Sequence, residues 1–210
     1  MDILLNESVE GYTTVAREAR AEITIKRSVF IACIAPAPMK ADALAYLDAL
    51  RTEHCDAVHH CYAYRIGPQG MEYRMSDDGE PSGTAGKPLL FALQRSGLSD
   101  AVLVVVRYYG GVKLGVGPLA RAYSEAAQGV LDSCARVAVV PMQPLSIFCT
   151  YDDVSRITTL LQEVQATFEP YYSDAVTFVA MIPAARMTFV QEEIITRTNA
   201  RAGFSTIMTE

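Results

Sequence analysis

The chain has 210 residues, of which 24 are acidic and 18 are Lys or Arg, so the formal net charge is −6; half of the residues are hydrophobic and 20% are charged. This composition excludes a disordered or fibrous chain. The negative balance excludes a protein that coats duplex nucleic acid through bulk charge, while leaving room for a local basic patch.

The length fits one large domain or two small ones. The longest apolar run, Ala101–Val106, suits a buried strand and falls far short of the ~20 residues of a membrane helix, so no membrane association is expected. The opening residues, Met1-Asp2-Ile3-Leu4-Leu5-Asn6-Glu7, carry neither the basic nor the long apolar region of a signal peptide. Cysteines at positions 33, 55, 61, 134 and 149 form no C-x-x-C pair, which predicts reduced thiols in a cytoplasmic protein.

In chain order, Glu22–Lys26 and Ser28–Ala35 read as paired strands. Lys40–Glu53 reads as a helix with Leu44, Leu47 and Leu50 on one face. Val58–Ile66 is a predicted strand, Leu89–Arg95 lies in a helix, and Ala101–Tyr108 is a central strand apolar on both faces. A proline-initiated helix runs from Pro118 to about Cys134. Pro141-Met142-Gln143-Pro144 resists both helix and central strand and marks a domain boundary, dividing residues 1–140 from 144–210.

Beyond it, Leu145–Tyr151 is a strand, and Asp152 or Asp153 is placed to cap a helix bearing Val154, Ile157, Leu160, Leu161 and Val164. Extended stretches Thr167–Tyr172 and Ala175–Ile182 follow. Pro183 suits the first turn of a second helix, and Phe204–Met208 forms a last strand. The order β-α-β-β-α-β is the ferredoxin-like pattern, so the fold class is α/β, more closely α+β.

Eleven of the thirteen glycines lie between Gly67 and Gly129, and two glycine-rich loops stand out there. Ser76-Asp77-Asp78-Gly79-Glu80-Pro81-Ser82-Gly83-Thr84-Ala85-Gly86-Lys87-Pro88 runs into a helix. Arg107-Tyr108-Tyr109-Gly110-Gly111-Val112-Lys113-Leu114-Gly115-Val116-Gly117-Pro118 joins a buried strand to another. Small residues before a helix N-terminus favour an anion, because the first amides are unpaired and the dipole is positive there.

The candidate anion- or nucleic-acid-binding residues are accordingly Arg74, Ser82, Gly83, Thr84, Gly86, Lys87, Arg107, Tyr108, Tyr109, Gly110, Gly111, Lys113, Gly115, Gly117 and Arg121. The tyrosines would stack on bases. The competing reading is that the glycines only make turns and close packing. Asp77, Asp78 and Glu80, with His59 and His60, form a candidate acid or metal loop; the competing reading is an acidic turn whose side chains cap nearby amides. No motif calls for a resident metal or cofactor.

Three strings then suggest a family. His59-His60-Cys61-Tyr62-Ala63-Tyr64, the run Ser76–Pro88 and Val104-Val105-Val106 followed by Arg107–Gly117 resemble the Impact family, in its bacterial YigZ-type branch, over nearly the full chain. Lys26-Arg27-Ser28-Val29-Phe30 is similar to the family's K-x-S-[RK]-F segment, with Val29 at the basic position. The resemblance implies an N-terminal domain of the ribosomal protein S5 domain 2-like fold and a ferredoxin-like C-terminal domain similar to part of elongation factor G. It also implies that eukaryotic relatives carry an extra N-terminal domain and regulate translation by restraining an eIF2-alpha kinase pathway, and that this sequence, lacking that domain, lacks that activity.

The reading favoured is a non-enzymatic protein that binds RNA or the ribosome, with a translation-machinery protein as a candidate partner. That inference is one of fold analogy. The alternatives are a small-molecule phosphate or nucleotide binder, and a metal-dependent, peptidase-like hydrolase using Asp77–Glu80. From His54 to Glu125 seven cations balance seven acids, whereas from Arg136 onward five arginines face eight acids. The bias is small and favours an anion site in the N-terminal part.

Overall fold

The computed structural model describes residues 11–206 and resolves two compact units, Tyr12–Val139 and a second one that takes up the chain from Val140. The first contains β1 (Tyr12–Val15), β2 (Ala19–Ile25), β3 (Ser28–Pro36), α1 (Lys40–Glu53), β4 (His59–Ile66), β5 (Glu72–Ser76), α2 (Gly86–Ser96), β6 (Ala101–Tyr108), α3 (Val116–Ser133) and β7 (Arg136–Val139). Five strands form an antiparallel sheet in the order β2-β3-β6-β4-β5, and β1 pairs separately with β7.

Strand alternation sorts this sheet's side chains into two cores. Ala101, Leu103 and Val105 of β6 join Phe30, Ala32, Ile34, Cys61 and Ala63 beneath α2 and α3, which contribute Leu89, Leu93, Leu119, Tyr123 and Val130. Val102, Val104 and Val106 face the other way, with Cys33, Tyr62 and Tyr64, against Leu47 and Leu50 of α1. β6 is therefore buried on both faces, which explains its unbroken apolar run even though its neighbours are antiparallel. α2 stops at Gly97, whose φ of +70° is the left-handed conformation that ends many helices.

The second unit contains β8 (Met142–Cys149), α4 (Val154–Glu163), β9 (Thr167–Tyr172), β10 (Val176–Pro183), α5 (Met187–Thr198) and β11 (Gly203–Thr206). The sheet order β11-β8-β10-β9, all antiparallel, is that of a ferredoxin-like βαββαβ sandwich. Leu145, Ile147, Phe178, Ala180 and Ile182 pack beneath Ile157, Leu161, Val190 and Ile194. The α+β class expected from the sequence is the one observed.

Three local expectations are corrected. Pro144 lies inside β8, opposite Met181 of β10, rather than in a break before the strand. Pro183 closes β10, and α5 begins at Met187. Asp153 occupies the cap position of α4 without a capping bond. Its buried carboxylate instead accepts bonds from Arg201 Nη2 at 2.7 Å and Arg156 Nη1 at 2.8 Å. Those bonds, Arg201's foremost, outweigh burial and hold its pKa below the ordinary carboxylate value. The last two residues of the expected final strand, Ile207 and Met208, lie outside the described residues.

Candidate nucleic-acid interface

β5 and β6 both run antiparallel to β4, so they finish at the same end of the sheet. The connections that follow them, which lead into α2 and α3, therefore emerge side by side. The Lys26–Arg27 turn between β2 and β3 is at this end too, since Val29 pairs with Tyr108. Two close approaches tie the loops to the sheet. A Cβ on Gly86 would lie 2.8 Å from the Ser76 carbonyl carbon, and one on Gly110 would lie 2.1 Å from that of Arg27. Only glycine permits the backbone to pass at these distances.

The two loops are joined by buried polar bonds. Glu80 Oε1 accepts from Arg107 Nη1 at 2.5 Å and from the Tyr123 hydroxyl of α3 at 2.7 Å. Arg107 also reaches Ser28 Oγ at 3.4 Å, and Ser28 Oγ accepts the Gly110 N–H at 3.1 Å. The Arg107 guanidinium lies 5.3 Å from the centre of the Phe30 ring and 5.5 Å from that of Tyr109.

Burial drives the Tyr123 hydroxyl and the Cys61 thiol far above their ordinary pKa values, so both stay protonated. Cys61 Sγ lies 3.3 Å from that hydroxyl. Tyr123 was not among the residues singled out from the sequence; only its place on the apolar face of α3 signals it, and such a position ordinarily means core.

The expectation that the first loop holds an external anion is corrected. Asp77 Oδ2 accepts the Gly83 N–H at 2.8 Å, and its Oδ1 accepts those of Ala85 and Gly86 at 2.9 and 2.8 Å. The chain's own carboxylate fills the place an incoming phosphate would take. Although burial alone would raise its pKa, the three amides hold it below the ordinary value. Thr84 is buried and donates to the Pro81 carbonyl at 2.6 Å, while Ser82 is exposed.

Arg107 is likewise corrected from a phosphate ligand to the partner of Glu80. The Tyr108 hydroxyl lies 2.9 Å from His54 Nδ1 and 3.2 Å from Asp56 Oδ1, which turns it away from stacking. Arg74, on β5, and Lys87, at the start of α2, are exposed.

The acidic cluster resolves into separate duties. Asp78 Oδ2 accepts the His60 N–H at 2.6 Å, its carbonyl accepts His59 Nδ1–H at 2.8 Å, and Glu80 belongs to Arg107. His59 and Cys61 face α2 and α3 while His60 is buried on the α1 side, as strand alternation requires. Among the described residues no group of three or more His, Cys, Asp or Glu side chains is placed to hold a metal.

The second loop remains open. Gly111 and Gly115 have φ of +82° and +83°, and the first turn of α3 has no side-chain cap. Arg121 extends back over that turn, its Nη1 3.9 Å from the position of a Cβ on Gly117. Lys26, Arg27, Lys113 and Arg121 are exposed. None has an ion-pair partner among the described residues. Tyr109 beside them is 45% exposed. Lys26 and Arg27 lie outside the site residues expected from the sequence, although two adjacent basic residues between strand runs are a signal for such a turn.

A model of the Impact N-terminal domain matches residues 26–131, half of the chain and all of this end of the sheet. The chain belongs to the Impact family. It is 35% identical over 203 residues to the IMPACT family member YvyE of Bacillus subtilis (strain 168), covering 96% of this chain and 87% of that protein. It is 37% identical over 168 residues to the IMPACT family member YigZ of Escherichia coli (strain K12), covering 78% and 81%.

Protein IMPACT of Bos taurus matches over 98 residues at 37% identity, which is 44% of this chain and 30% of that one. A crystal structure of an hypothetical protein superposes with a TM-score of 0.69 at 32% identity, covering 96% of this chain and 99% of that one. Both loops lie inside the matched region. Among the described residues no helix is long and apolar enough to cross a membrane.

Proposed function

We propose that this chain is a non-catalytic RNA-binding protein of the translation apparatus. It grips phosphates with Lys26, Arg27, Lys113, Arg121 and the open first turn of α3, and stacks a base on Tyr109. The observation that carries the reading is the set of four exposed cations, without acidic partners among the described residues, around an uncapped N-terminus of an 18-residue helix. Phosphate contacts from such groups are sequence-independent and add roughly linearly to salt dependence. The family resemblance gives the direction, since it implies folds that recur in translation factors.

The test is fluorescence anisotropy with labelled single-stranded oligouridylate across a salt series. Three or four phosphate contacts predict a log–log slope of about −2 to −3. Reversing Lys26, Arg27 and Lys113 to Glu brings the slope toward zero. Absence of binding near ~50 mM salt removes the proposal. Displacement of the RNA by free nucleotide at equal phosphate concentration would redirect it to a small-molecule phosphate site.

A further inference from the structure

β5 is the outer strand of its sheet, paired only with β4 among the described residues. All five of its residues are exposed or half-buried. Tyr73 and Met75 sit opposite Arg65 and Ala63 of β4, which places them on the face that carries α2. Along the flank of α2 they meet Lys87, Pro88, Phe91 and Gln94 around a groove of about 570 Å³. Tyr73 is 57% exposed, Met75 44% and Phe91 59%. Clustered apolar exposure beside an open strand edge is what proteins ordinarily avoid unless it is used. Lys87 is the one ionised residue lining the groove among the described residues, and no acid lines it. Arg95 adds a second cation nearby, its guanidinium 5.9 Å from the centre of the Phe91 ring.

We infer that this edge receives an extended segment of a partner protein, which adds a strand beside β5. Alternate apolar side chains of that segment enter the Tyr73–Met75–Phe91 groove, and an acidic residue meets Lys87. Each element of the occupant follows from an observed feature. The unpaired backbone row of β5 asks for an extended polypeptide, because main-chain N–H and C=O groups are what complete a ladder. The groove on one face asks for apolar residues at every second position. The cation without a neighbouring acid asks for a carboxylate. An RNA strand would supply stacking surfaces but could not satisfy the backbone row.

The experiment uses the whole chain and a fluorescent synthetic peptide, acetyl-Asp-Val-Thr-Val-Thr-Val-Asp-amide, read by anisotropy. Strand addition uses only one edge of the peptide. N-methylating either the valines or the threonines therefore abolishes binding, while methylating the other set leaves it within about twofold. Phe91→Ser, at an exposed helix position, weakens binding by about tenfold or more without altering the circular dichroism spectrum. Replacing the terminal aspartates of the peptide with lysines weakens binding to the native protein, and Lys87→Glu reverses that preference.

Four results overturn the inference. They are no saturable binding, equal sensitivity to both methylation patterns, indifference to the charge of the peptide ends, and self-association of the chain that Phe91→Ser disrupts. The RNA reading is not touched by any of them, because Lys26, Arg27 and Lys113 take no part.

Discussion

Glu80 and Arg107, 27 positions apart, meet as a buried ion pair with side-chain exposures of only 4% and 6%. This contact joins the loop that precedes α2 to the strand that precedes α3, and the Tyr123 hydroxyl completes it from α3 itself. An ion pair so enclosed is a weak source of net stability, yet removing one partner is severe because a charge is left without compensation. Glu80→Ala is therefore expected to cost about 3–5 kcal/mol in a denaturant titration. Glu80→Leu combined with Arg107→Met is expected to cost less than either change alone. A double variant as unstable as the sum of its parts would show that the two side chains act independently.

The same pair marks where the sequence stops being readable. Lys40–Glu53 and Ala101–Tyr108 are visible to the residue, because burial on one helix face and on both strand faces leaves an unmistakable apolar pattern. β5 leaves none: its side chains are largely exposed, so Glu72-Tyr73-Arg74-Met75-Ser76 has no buried alternation to detect. β7 is similarly exposed, and β1, although Thr14 and Val15 are buried, is only four residues long, too short to show a period. At the site, both loops and their basic residues are evident from glycine placement alone. What stays hidden is which charges are already engaged. The acidic turn itself signals a carboxylate capping nearby amides, though not that Asp77 rather than Asp78 or Glu80 supplies it, and nothing near Arg107 says that its partner lies on another loop. The Arg107–Glu80 pairing is set by the sheet order, and strand order is a property of the whole unit.

Asp77 offers a second prediction. Its carboxylate is the internal anion of the α2 N-terminus, and Asp77→Ala is expected to cost about 1–2 kcal/mol, the usual value of a lost cap. Its pKa is lowered on folding, so the stabilisation is complete above the unfolded value of about 3.9 and is lost as pH falls through the folded value. Denaturant titrations from neutral pH down to about pH 3 are expected to show this loss. Asp77→Asn should make that part of the curve shallower, the share of Asp153 remaining.

Two glycines of the second loop give opposite expectations for the same substitution. Gly110→Ala places a methyl 2.1 Å from the Arg27 carbonyl carbon and 2.5 Å from the Ser28 nitrogen, both backbone atoms that cannot yield. It should destabilise by about 1–3 kcal/mol, displace the loop, and weaken RNA binding in the anisotropy assay. Gly117→Ala adds a methyl whose nearest neighbour is the flexible end of Arg121, 3.9 Å away, within the first turn of α3. It should be neutral or stabilise by up to about 1 kcal/mol. Equal thermal midpoints for the two variants would show that the close passage at Gly110 is not a constraint on the fold.

His60 provides a titration in a separate window. It is 7% exposed on the α1 side of β4, and its Nε2 has no hydrogen-bond partner. Burial pushes its pKa below the ordinary histidine value; Asp78 pulls the other way, and Arg51 and His54 reinforce the burial. The folded state therefore keeps the ring neutral at pH values where the unfolded chain, titrating near about 6.5, already binds a proton. Its contribution is complete above that pH and begins to decline as pH falls through about 6.5, before the loss from Asp77 begins near the unfolded carboxylate value of about 3.9. His60→Phe cannot ionise and should remove this upper step while leaving the acidic one. Stability measured at fine pH intervals across both windows separates the two groups. An upper step that persists in His60→Phe would assign it to another histidine.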